Sequence, residues 1–433
     1  MNTKDHLRTE IFDLIQYLFG EFKYNDHQIH CVIKLEGKVD EKRLRQAALL
    51  SMEIVPVLSS RFVPNNHRPY WERIGRPDYE RGIAFVETDD PDTEVSRFLT
   101  SRTDELTGPQ IRTTIVRGRQ DDFLCFVVNH MVCDAAGFKQ YLYLLNDIYE
   151  GLRNNPGYSP TLQNDGSRGL GQIYRQFGLF KRVRVLLLPP VSNKDRLSLA
   201  EGAEQYGTGP LKSFVNIFKI PPHRFAGLRQ YCTLKEVTIN DAVLAAYFRT
   251  VFRLLEDKTD ITLSIPCTID LRRYLAGERA AAICNLSSWI RAELTLKTRE
   301  SFDDTVVNVH REMESRKNHY PGLDGFGLLS LVFKLLPYSR AKGLVRSGIK
   351  SPLITMTNLG IIEKDRLTFG GQPGDAFMTA SNKYPPYFQL SFSTYDNAIT
   401  FSVNLPDTSD NQALATRFWD LFEKELPAKT ARV

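Results

Sequence analysis

The chain has 433 residues, of which 42% are hydrophobic and 25% are charged. This length and composition exclude a wholly disordered chain and predict more than one packed domain. The formal net charge of +5 is small, which argues against a nucleic-acid partner, because such proteins concentrate basic charge on one face.

The six cysteines form no C-x-x-C pair, and several lie in apolar runs, where reduced buried thiols are typical. A cytoplasmic location is therefore expected. No stretch reaches the ~20 apolar residues that a membrane-spanning helix needs, so we expect membrane contact to be peripheral at most. No cluster of Cys, His and carboxylate side chains predicts a metal site.

Helical and strand-like patterns alternate in the first half of the chain. Predicted helices cover residues 7–22, 40–52 and 138–149, and predicted strands cover residues 31–35, 111–116 and 123–128. The last two strands flank a polar turn, which predicts an antiparallel hairpin. A loop at residues 154–171 and an irregular segment at residues 188–209 predict a domain boundary between residues 180 and 208.

The second half of the chain also alternates helical and strand-like patterns. Predicted helices cover residues 222–231, 238–254, 301–316, 325–344 and 411–425, and predicted strands cover residues 212–220, 261–266, 289–296, 353–359, 387–394 and 399–403. The last two strands again form a hairpin pattern. The sequence therefore predicts a mixed α/β fold and argues against an all-parallel barrel.

One local feature points to chemistry. The apolar strand at residues 123–128 leads directly into Asn129-His130, and Met131-Val132-Cys133-Asp134-Ala135-Ala136-Gly137 follows before a helix. A histidine at the end of a buried strand, followed by small residues, is a typical position for a reactive group in α/β enzymes. Alone, a His and an Asp four residues apart are weak evidence, because such spacing is common by chance.

A wider pattern strengthens this hypothesis. Residues 129–137 resemble the HHxxxDG motif of the chloramphenicol acetyltransferase-like superfamily, which includes condensation domains, wax ester synthases and alcohol acyltransferases. Further segments resemble motifs of that family in the same order: residues 56–62 (Pro-Val-Leu-Ser-Ser-Arg-Phe), 238–244 (Thr-Ile-Asn-Asp-Ala-Val-Leu), 266–272 (Pro-Cys-Thr-Ile-Asp-Leu-Arg) and 357–360 (Thr-Asn-Leu-Gly). Asn129 replaces the first histidine of the motif, and Ala135 replaces its glycine.

This resemblance implies the fold. It implies two similar lobes, each a mixed sheet flanked by helices, with a cleft or tunnel between them. We expect the N-terminal lobe, which carries the motif, at residues 1–185 and the C-terminal lobe at residues 186–433.

The resemblance also implies roles for three residues. His130 would be the general base that removes the acceptor's proton, and no acyl-enzyme would form. Asp134 would pair with Arg272 and support the active-site loop rather than touch substrate. The neighbouring Arg273 makes a surface position the alternative for Arg272, but the order of the motif favours the pairing.

Other residues are expected near the substrate. Asn129, Thr357, Asn358 and Gly360 are candidates for substrate positioning or for binding the oxyanion. A plain turn is the competing interpretation of Asn358 and Gly360, because both residue types tolerate positive φ. We expect Cys133, inside the motif, to serve packing.

The implied reaction moves an acyl group from a thioester to the hydroxyl or amine of a small-molecule acceptor. Acyl-CoA or a phosphopantetheinyl thioester would be the co-substrate, and no permanently bound cofactor or metal is expected. The alternatives are a free-standing condensation enzyme of secondary metabolism, which joins substrates on acyl or peptidyl carrier proteins in trans, and a non-catalytic scaffold. The sequence does not fix the acyl chain length, the acceptor, the donor carrier or the oligomeric state.

Overall fold

A computed structural model describes residues 6–160, 166–190, 199, 212–255, 261–297, 299–348 and 351–427. The strands are β1 (His6–Arg8), β2 (Gln28–Glu36), β3 (Ser60–Val63), β4 (Tyr70–Arg73), β5 (Ile83–Glu87), β6 (Ile111–Arg117), β7 (Asp122–Asn129), β8 (Ser213–Ile220), β9 (Ile261–Asp270), β10 (Ser287–Leu296), β11 (Ile354–Ile362), β12 (Gln372–Thr379), β13 (Phe388–Tyr395) and β14 (Ala398–Pro406).

The helices are α1 (Ile11–Glu21), α2 (Glu41–Ile54), α3 (Arg76–Glu80), α4 (Pro91–Phe98), α5 (Ala135–Asn154), α6 (Gly171–Tyr174), α7 (Leu179–Leu186), α8 (Pro222–Leu234), α9 (Ile239–Leu254), α10 (Phe302–Arg316), α11 (Phe326–Leu335), α12 (Tyr338–Gly348) and α13 (Ser409–Glu425). Among the described residues, none of these helices has the length and apolar character needed to span a membrane.

Two mixed sheets organise the two lobes. In the described part of the chain, one sheet has the order β12-β2-β7-β6-β5 and the other has the order β10-β9-β11-β13-β14-β8. A small third sheet has the order β1-β4-β3. The predicted mixed α/β fold with two sheet-based lobes is confirmed.

Strand β7 lies at the centre of the first sheet, between β2 and β6, and both of its faces are covered. Leu124, Phe126 and Val128 face the main core, which includes side chains of α5. Cys125 and Val127 face a smaller cluster that includes side chains of α4. A strand buried on both faces reads as a continuous apolar run, which is why the sequence predicts it correctly. The predicted hairpin of β6 and β7 is also confirmed.

The prediction of a single helix over residues 325–344 is wrong. The structure has two helices there, α11 and α12, which are separated at Leu336-Pro337. Leu336 has extended backbone angles, as expected of a residue that precedes proline, and Pro337 has no amide hydrogen to continue the helix.

Strand β12 ties the two halves of the chain together. It comes from the second half, yet it pairs antiparallel with β2 at the edge of the first sheet, with Phe377 opposite Val32. The division of the chain at residues 185 and 186 stays a prediction. The irregular segment predicted at residues 188–209 lies mostly outside the described residues.

The second lobe packs α9 and α13 against its sheet. Phe418 on α13 is fully buried, and its ring lies 5.2 Å from that of Phe388 and 5.8 Å from that of Tyr247, measured between centroids. Thr238 caps α9 through a reciprocal pair of hydrogen bonds with Asp241. The apolar contacts hold α9 and α13 on the sheet, and the cap fixes where α9 begins.

We predict that Phe418→Ala lowers the free energy of unfolding by about 3–5 kcal/mol, because it leaves a cavity in a packed aromatic cluster. The matched control is Phe180→Ala, which truncates the same residue type at a position that is 91% exposed. Urea denaturation followed by circular dichroism measures both. Equal effects of the two changes would contradict this packing.

Candidate active site

His130 lies in the turn between β7 and α5. Its backbone amide donates to the carbonyl of His27, at 2.7 Å. Asn285, from the second lobe, donates from its side-chain amide to the carbonyl of His130, at 2.8 Å. Both lobes therefore hold the backbone of this residue.

The tautomer of His130 follows from its contacts. Nδ1 lies 3.0 Å from the carbonyl oxygen of Cys133. A carbonyl oxygen only accepts, so this contact favours a hydrogen on Nδ1 and a lone pair on Nε2. The amide nitrogen of Asn285 also lies 3.2 Å from Nδ1, but its shorter bond, at 2.8 Å, goes to the His130 carbonyl. Among the described residues, Nε2 has no hydrogen-bond partner. Burial lowers the pKa of His130, although the nearby Asp134 carboxylate acts in the opposite direction. The ring is therefore neutral at pH 7.

Asp134 caps α5 and holds the two lobes together. One carboxylate oxygen accepts from the amide of Gly137 at 2.8 Å. The other accepts from Nη1 of Arg272 at 2.8 Å and from the amide of Leu286 at 2.6 Å. Because both oxygens are occupied, Asp134 does not orient the imidazole of His130; the Cys133 carbonyl does.

Arg272 is buried opposite this carboxylate. It also donates to the carbonyl of Cys284 at 2.9 Å and to Asp270 at 3.1 Å. Burial raises the pKa of Asp134, but the charge of Arg272 and the donated hydrogen bonds outweigh this and hold the pKa below its ordinary value. Burial lowers the pKa of Arg272, but the two carboxylates outweigh this effect and raise the pKa above its ordinary value. The pair is therefore ionised.

A second buried arginine supports the same turn, and the sequence analysis missed it. Arg168 donates to the carbonyl of Val132 at 3.1 Å and forms two hydrogen bonds with Asp13, at 3.0 and 3.1 Å. Trp71 donates to the same carboxylate at 2.8 Å. No local pattern marks Arg168, because it lies in a polar segment and its partner is 155 positions away.

Asn129 ends β7 and Cys133 lies within the turn, and both side chains are buried. The side-chain oxygen of Asn129 accepts from the amide of Met131 at 3.0 Å, and Asn129 is not among the residues that line the cavity described below. Cys133 is fully buried, and burial raises the pKa of its thiol. A Cβ on Gly137 would lie 2.6 Å from the Cys284 carbonyl, so this position requires glycine.

The predicted 357–360 segment is part of β11, not a free turn. The hydroxyl of Thr357 lies 2.9 Å from the hydroxyl of Thr268 on β9. The side-chain oxygen of Asn358 accepts from the amide of Gly360 at 2.8 Å, which leaves the NH₂ group of Asn358 as a donor. Gly360 has φ +84° at a bulge in the strand, and such a φ favours glycine.

These elements enclose one cavity of ≈ 550 Å³ between the lobes, a size typical of small-molecule sites. Residues of both lobes line it, including His130, Ala135, Trp289, Thr357, Asn358 and Gly360. Two lysines that the sequence analysis did not single out, Lys139 and Lys383, also line it. Among the described residues, no group of three His, Cys, Asp or Glu side chains is arranged to hold a metal ion.

Comparison with known proteins supports the fold. No family model and no curated protein matches the sequence. The structure is similar to the first condensation domain of the CDA synthetase (17% identity, 99% of this chain and 98% of that chain, TM-score 0.67). It is also similar to trichothecene 15-O-acetyltransferase from Fusarium sporotrichioides (12%, 97% and 95%, 0.68) and to polyketide synthase associated protein 5 from Mycobacterium tuberculosis (15%, 96% and 98%, 0.66).

At these identities the likeness establishes the fold alone. It is the fold shared by condensation domains and an acetyltransferase, and it extends over almost the whole of each chain. The resemblance read from the sequence is confirmed at this level.

We predict that Asp134→Asn lowers the free energy of unfolding by about 3 kcal/mol at neutral pH, because it removes the buried carboxylate opposite Arg272. Since the folded-state pKa of Asp134 is depressed, its stabilisation is fully present above about pH 4 and is lost as the pH falls through the folded pKa. The deficit of the variant should therefore shrink only in acid.

The matched control is Asp89→Asn. Asp89 pairs with Arg119 at the same distance of 2.8 Å, but the two side chains are 78% and 79% exposed. Little or no change is expected there. Chemical denaturation at a series of pH values measures both variants, and an equally stable Asp134→Asn protein would contradict the structural role of the pair.

Proposed function

We propose that the protein is an acyltransferase that moves an acyl group from a thioester to a hydroxyl or amine, with His130 as the general base. The observation that supports this most directly is the 3.0 Å contact of His130 Nδ1 with the Cys133 carbonyl, which favours a hydrogen on Nδ1. Nε2 has no partner among the described residues, and His130 lines the cavity. A neutral imidazole in that state accepts a proton near pH 7.

The proposed reaction has two proton transfers. Nε2 removes the proton of the acceptor's hydroxyl or amine as the acceptor attacks the thioester carbonyl. The tetrahedral intermediate then collapses, the C–S bond breaks, and Nε2 returns the proton to the leaving thiolate. Because the acceptor attacks directly, no acyl-enzyme forms and Cys133, which is buried with a raised pKa, takes no part.

The oxyanion of that intermediate needs a hydrogen-bond donor. Thr357 and Asn358 are our candidates, because both line the cavity. The NH₂ group of Asn358 is left as a donor, and the Thr357 hydroxyl is left as one when Thr268 donates the hydrogen bond between the two hydroxyls. Asn129 was a third candidate in the sequence analysis. Because Asn129 is buried at the end of β7 and does not line the cavity, a structural role is the better proposal for this residue.

The donor is proposed to be acyl-CoA or a phosphopantetheinyl thioester, with no permanently bound cofactor. The similarity to condensation domains and to a synthase-associated protein supports a second candidate, a condensation enzyme that takes substrates from acyl or peptidyl carrier proteins in trans. The non-catalytic scaffold is less consistent with an uncommitted base in a sizeable cavity.

We predict that His130→Ala lowers kcat for acyl transfer by about 10³-fold, within the range for loss of a general base, with little change in folding. His223→Ala is the matched control, because His223 is exposed on α8 and does not line the cavity. Steady-state release of free thiol measures both. Undiminished turnover by His130→Ala would refute the proposed role.

We predict that Thr357→Val or Asn358→Ala lowers kcat by about 10²-fold with a smaller change in KM, because an oxyanion donor acts in the transition state. Thr357→Ser, which keeps the hydroxyl, should retain most of the activity. If valine and serine at position 357 behave alike, the hydroxyl has no such role.

An assay of donors separates the two candidate functions. The same acceptors are offered with acetyl-CoA, with longer acyl-CoAs and with an acylated carrier protein. Turnover with CoA esters alone supports the stand-alone acyltransferase, and turnover with the loaded carrier alone supports the condensation enzyme. Transfer from none of them, with a broad panel of alcohols and amines, would contradict both.

A further inference from the structure

The two lysines that line the cavity differ in their partners. Lys139 on α5 donates to the carbonyl of Ile361, at 3.0 Å. Lys383 lies after β12, where its backbone forms an isolated antiparallel bridge with Asn25. Among the described residues, the ammonium group of Lys383 has no ion pair and no hydrogen bond. A half-buried cation without a partner is unfavourable, so its retention in the cavity calls for an explanation.

Unpartnered polar atoms line the same cavity as Lys383. Ser381 is 5% exposed, and its hydroxyl is buried without a hydrogen-bond partner among the described residues. Ser381 and Lys383 both line the cavity, whereas Asn382 between them does not and instead bonds to Asp26. Ala380 lines the cavity as well, so residues 380, 381 and 383 form one stretch of its wall. The hydroxyl of Thr355, also on the cavity wall, is buried and unpartnered as well.

The environment of Lys383 favours a singly charged anion. Burial lowers the pKa of Lys383 to about 8, and the Asp26 carboxylate acts weakly against this. Asp26 is already committed to amide donors: Gln28 N, Asn382 N and Asn382 Nδ2. It therefore does not neutralise the lysine by direct contact, yet its charge would disfavour a dianion such as phosphate. One ammonium and neighbouring hydroxyls match the single charge and two oxygens of a carboxylate.

We propose that Lys383 and Ser381 form a subsite for a carboxylate group carried by a substrate. This subsite depends on the proposed function in one respect, namely that its ligand is a reactant of the acyl transfer. The carboxylate belongs either to the acyl acceptor, as in a hydroxy or amino acid, or to the far end of a dicarboxylic acyl group. Because Lys383 and His130 line one cavity, the subsite orients a reactant whose other end meets the base.

The first experiment does not depend on turnover. Wild-type protein is labelled with a limiting amine-acylating reagent at constant ionic strength, and peptide mass spectrometry quantifies the modification of each lysine. We expect a full titration with glutarate to slow the labelling of Lys383 at least about threefold, as expected when an anion occupies the amine. The neutral analogue glutaramide should not slow it. Lys364, whose partner Asp396 lies outside the cavity, is the internal control and should label equally in every condition.

The same labelling is repeated with inorganic phosphate in place of glutarate. Protection of Lys383 by glutarate but not by phosphate supports a carboxylate subsite. Stronger protection by phosphate than by glutarate, or equal effects of glutarate and glutaramide, would overturn the proposal. Loss of glutarate protection in Ser381→Ala, which keeps the lysine, would add support, and full protection in that variant would remove Ser381 from the subsite.

The second experiment uses acyl transfer. Lys383→Met should raise KM for a carboxylate substrate at least about tenfold. It should leave KM for the amide analogue unchanged, since only the ionised group loses its partner. Lys383→Arg should retain part of the preference, and Lys364→Met should retain all of it. Testing the acid–amide pair first in the acceptor and then in the acyl group (succinyl-CoA against succinamyl-CoA) locates the carboxylate. No discrimination in either pair overturns the subsite.

These two experiments separate the two proposals. Protection of Lys383 by glutarate without any turnover would leave the subsite standing and count against the acyltransferase. Turnover that depends on His130 but shows no carboxylate preference, with no protection of Lys383, would support the reaction and reject the subsite.

Discussion

The buried ion pair of Asp134 and Arg272 is the constraint on which the candidate active site depends. It joins the turn after β7 in the first lobe to the segment that follows β9 in the second lobe. A buried pair of this kind adds little net stability by itself, but the loss of one partner is costly. Its consequence here is geometric, because it fixes the lobe that carries His130 against the lobe that carries β11.

The pair does not act alone on the turn. The Arg272 guanidinium and the Leu286 amide hold Asp134 from the second lobe, and Asn285 holds the His130 carbonyl from the same side. Arg168 holds the Val132 carbonyl from within the first lobe. With its backbone fixed on both sides, the imidazole places Nδ1 against the Cys133 carbonyl, and this contact favours the tautomer with a hydrogen on Nδ1. A structural ion pair is thereby linked to the tautomer of the proposed base.

The sequence predicts the parts of this arrangement that are local. The apolar run of β7 reveals its burial on both faces, and the spacing of His130 and Asp134 follows from a turn capped by that aspartate. The Asp134–Arg272 pair, which joins residues 138 positions apart, is not local and is implied only by the family resemblance of the motifs. Arg168, Asn285 and Lys383 could not be found in this way. Arg168 and Asn285 bond to Asp13 and His130, each 155 positions away, and Lys383 is marked only by its lack of a partner among the described residues.

Strand β12 shows a second limit of sequence reasoning. It contains Pro373 and Gly374, which locally favour a turn, and the register shifts between Pro373 and Asp375. Both residues are tolerated because β12 is an edge strand. In residues 325–344 the helical spacing of apolar residues continues through Pro337, but the helix itself is interrupted there. At Pro337 one proline ends the helix despite the periodic pattern, whereas at Pro373 the edge position lets the strand form despite the proline.

The central claim is that the fold presents a neutral His130 whose Nε2 is free to take a proton. Nitrogen-15 NMR of protein labelled at histidine, with the His130 signals assigned by comparison with His130→Gln, tests this directly. The account predicts the Nδ1-protonated tautomer at neutral pH and a pKa below the ordinary value of about 6.5, in line with the effect of burial. An Nε2-protonated ring, or a pKa above that of free histidine, would contradict it.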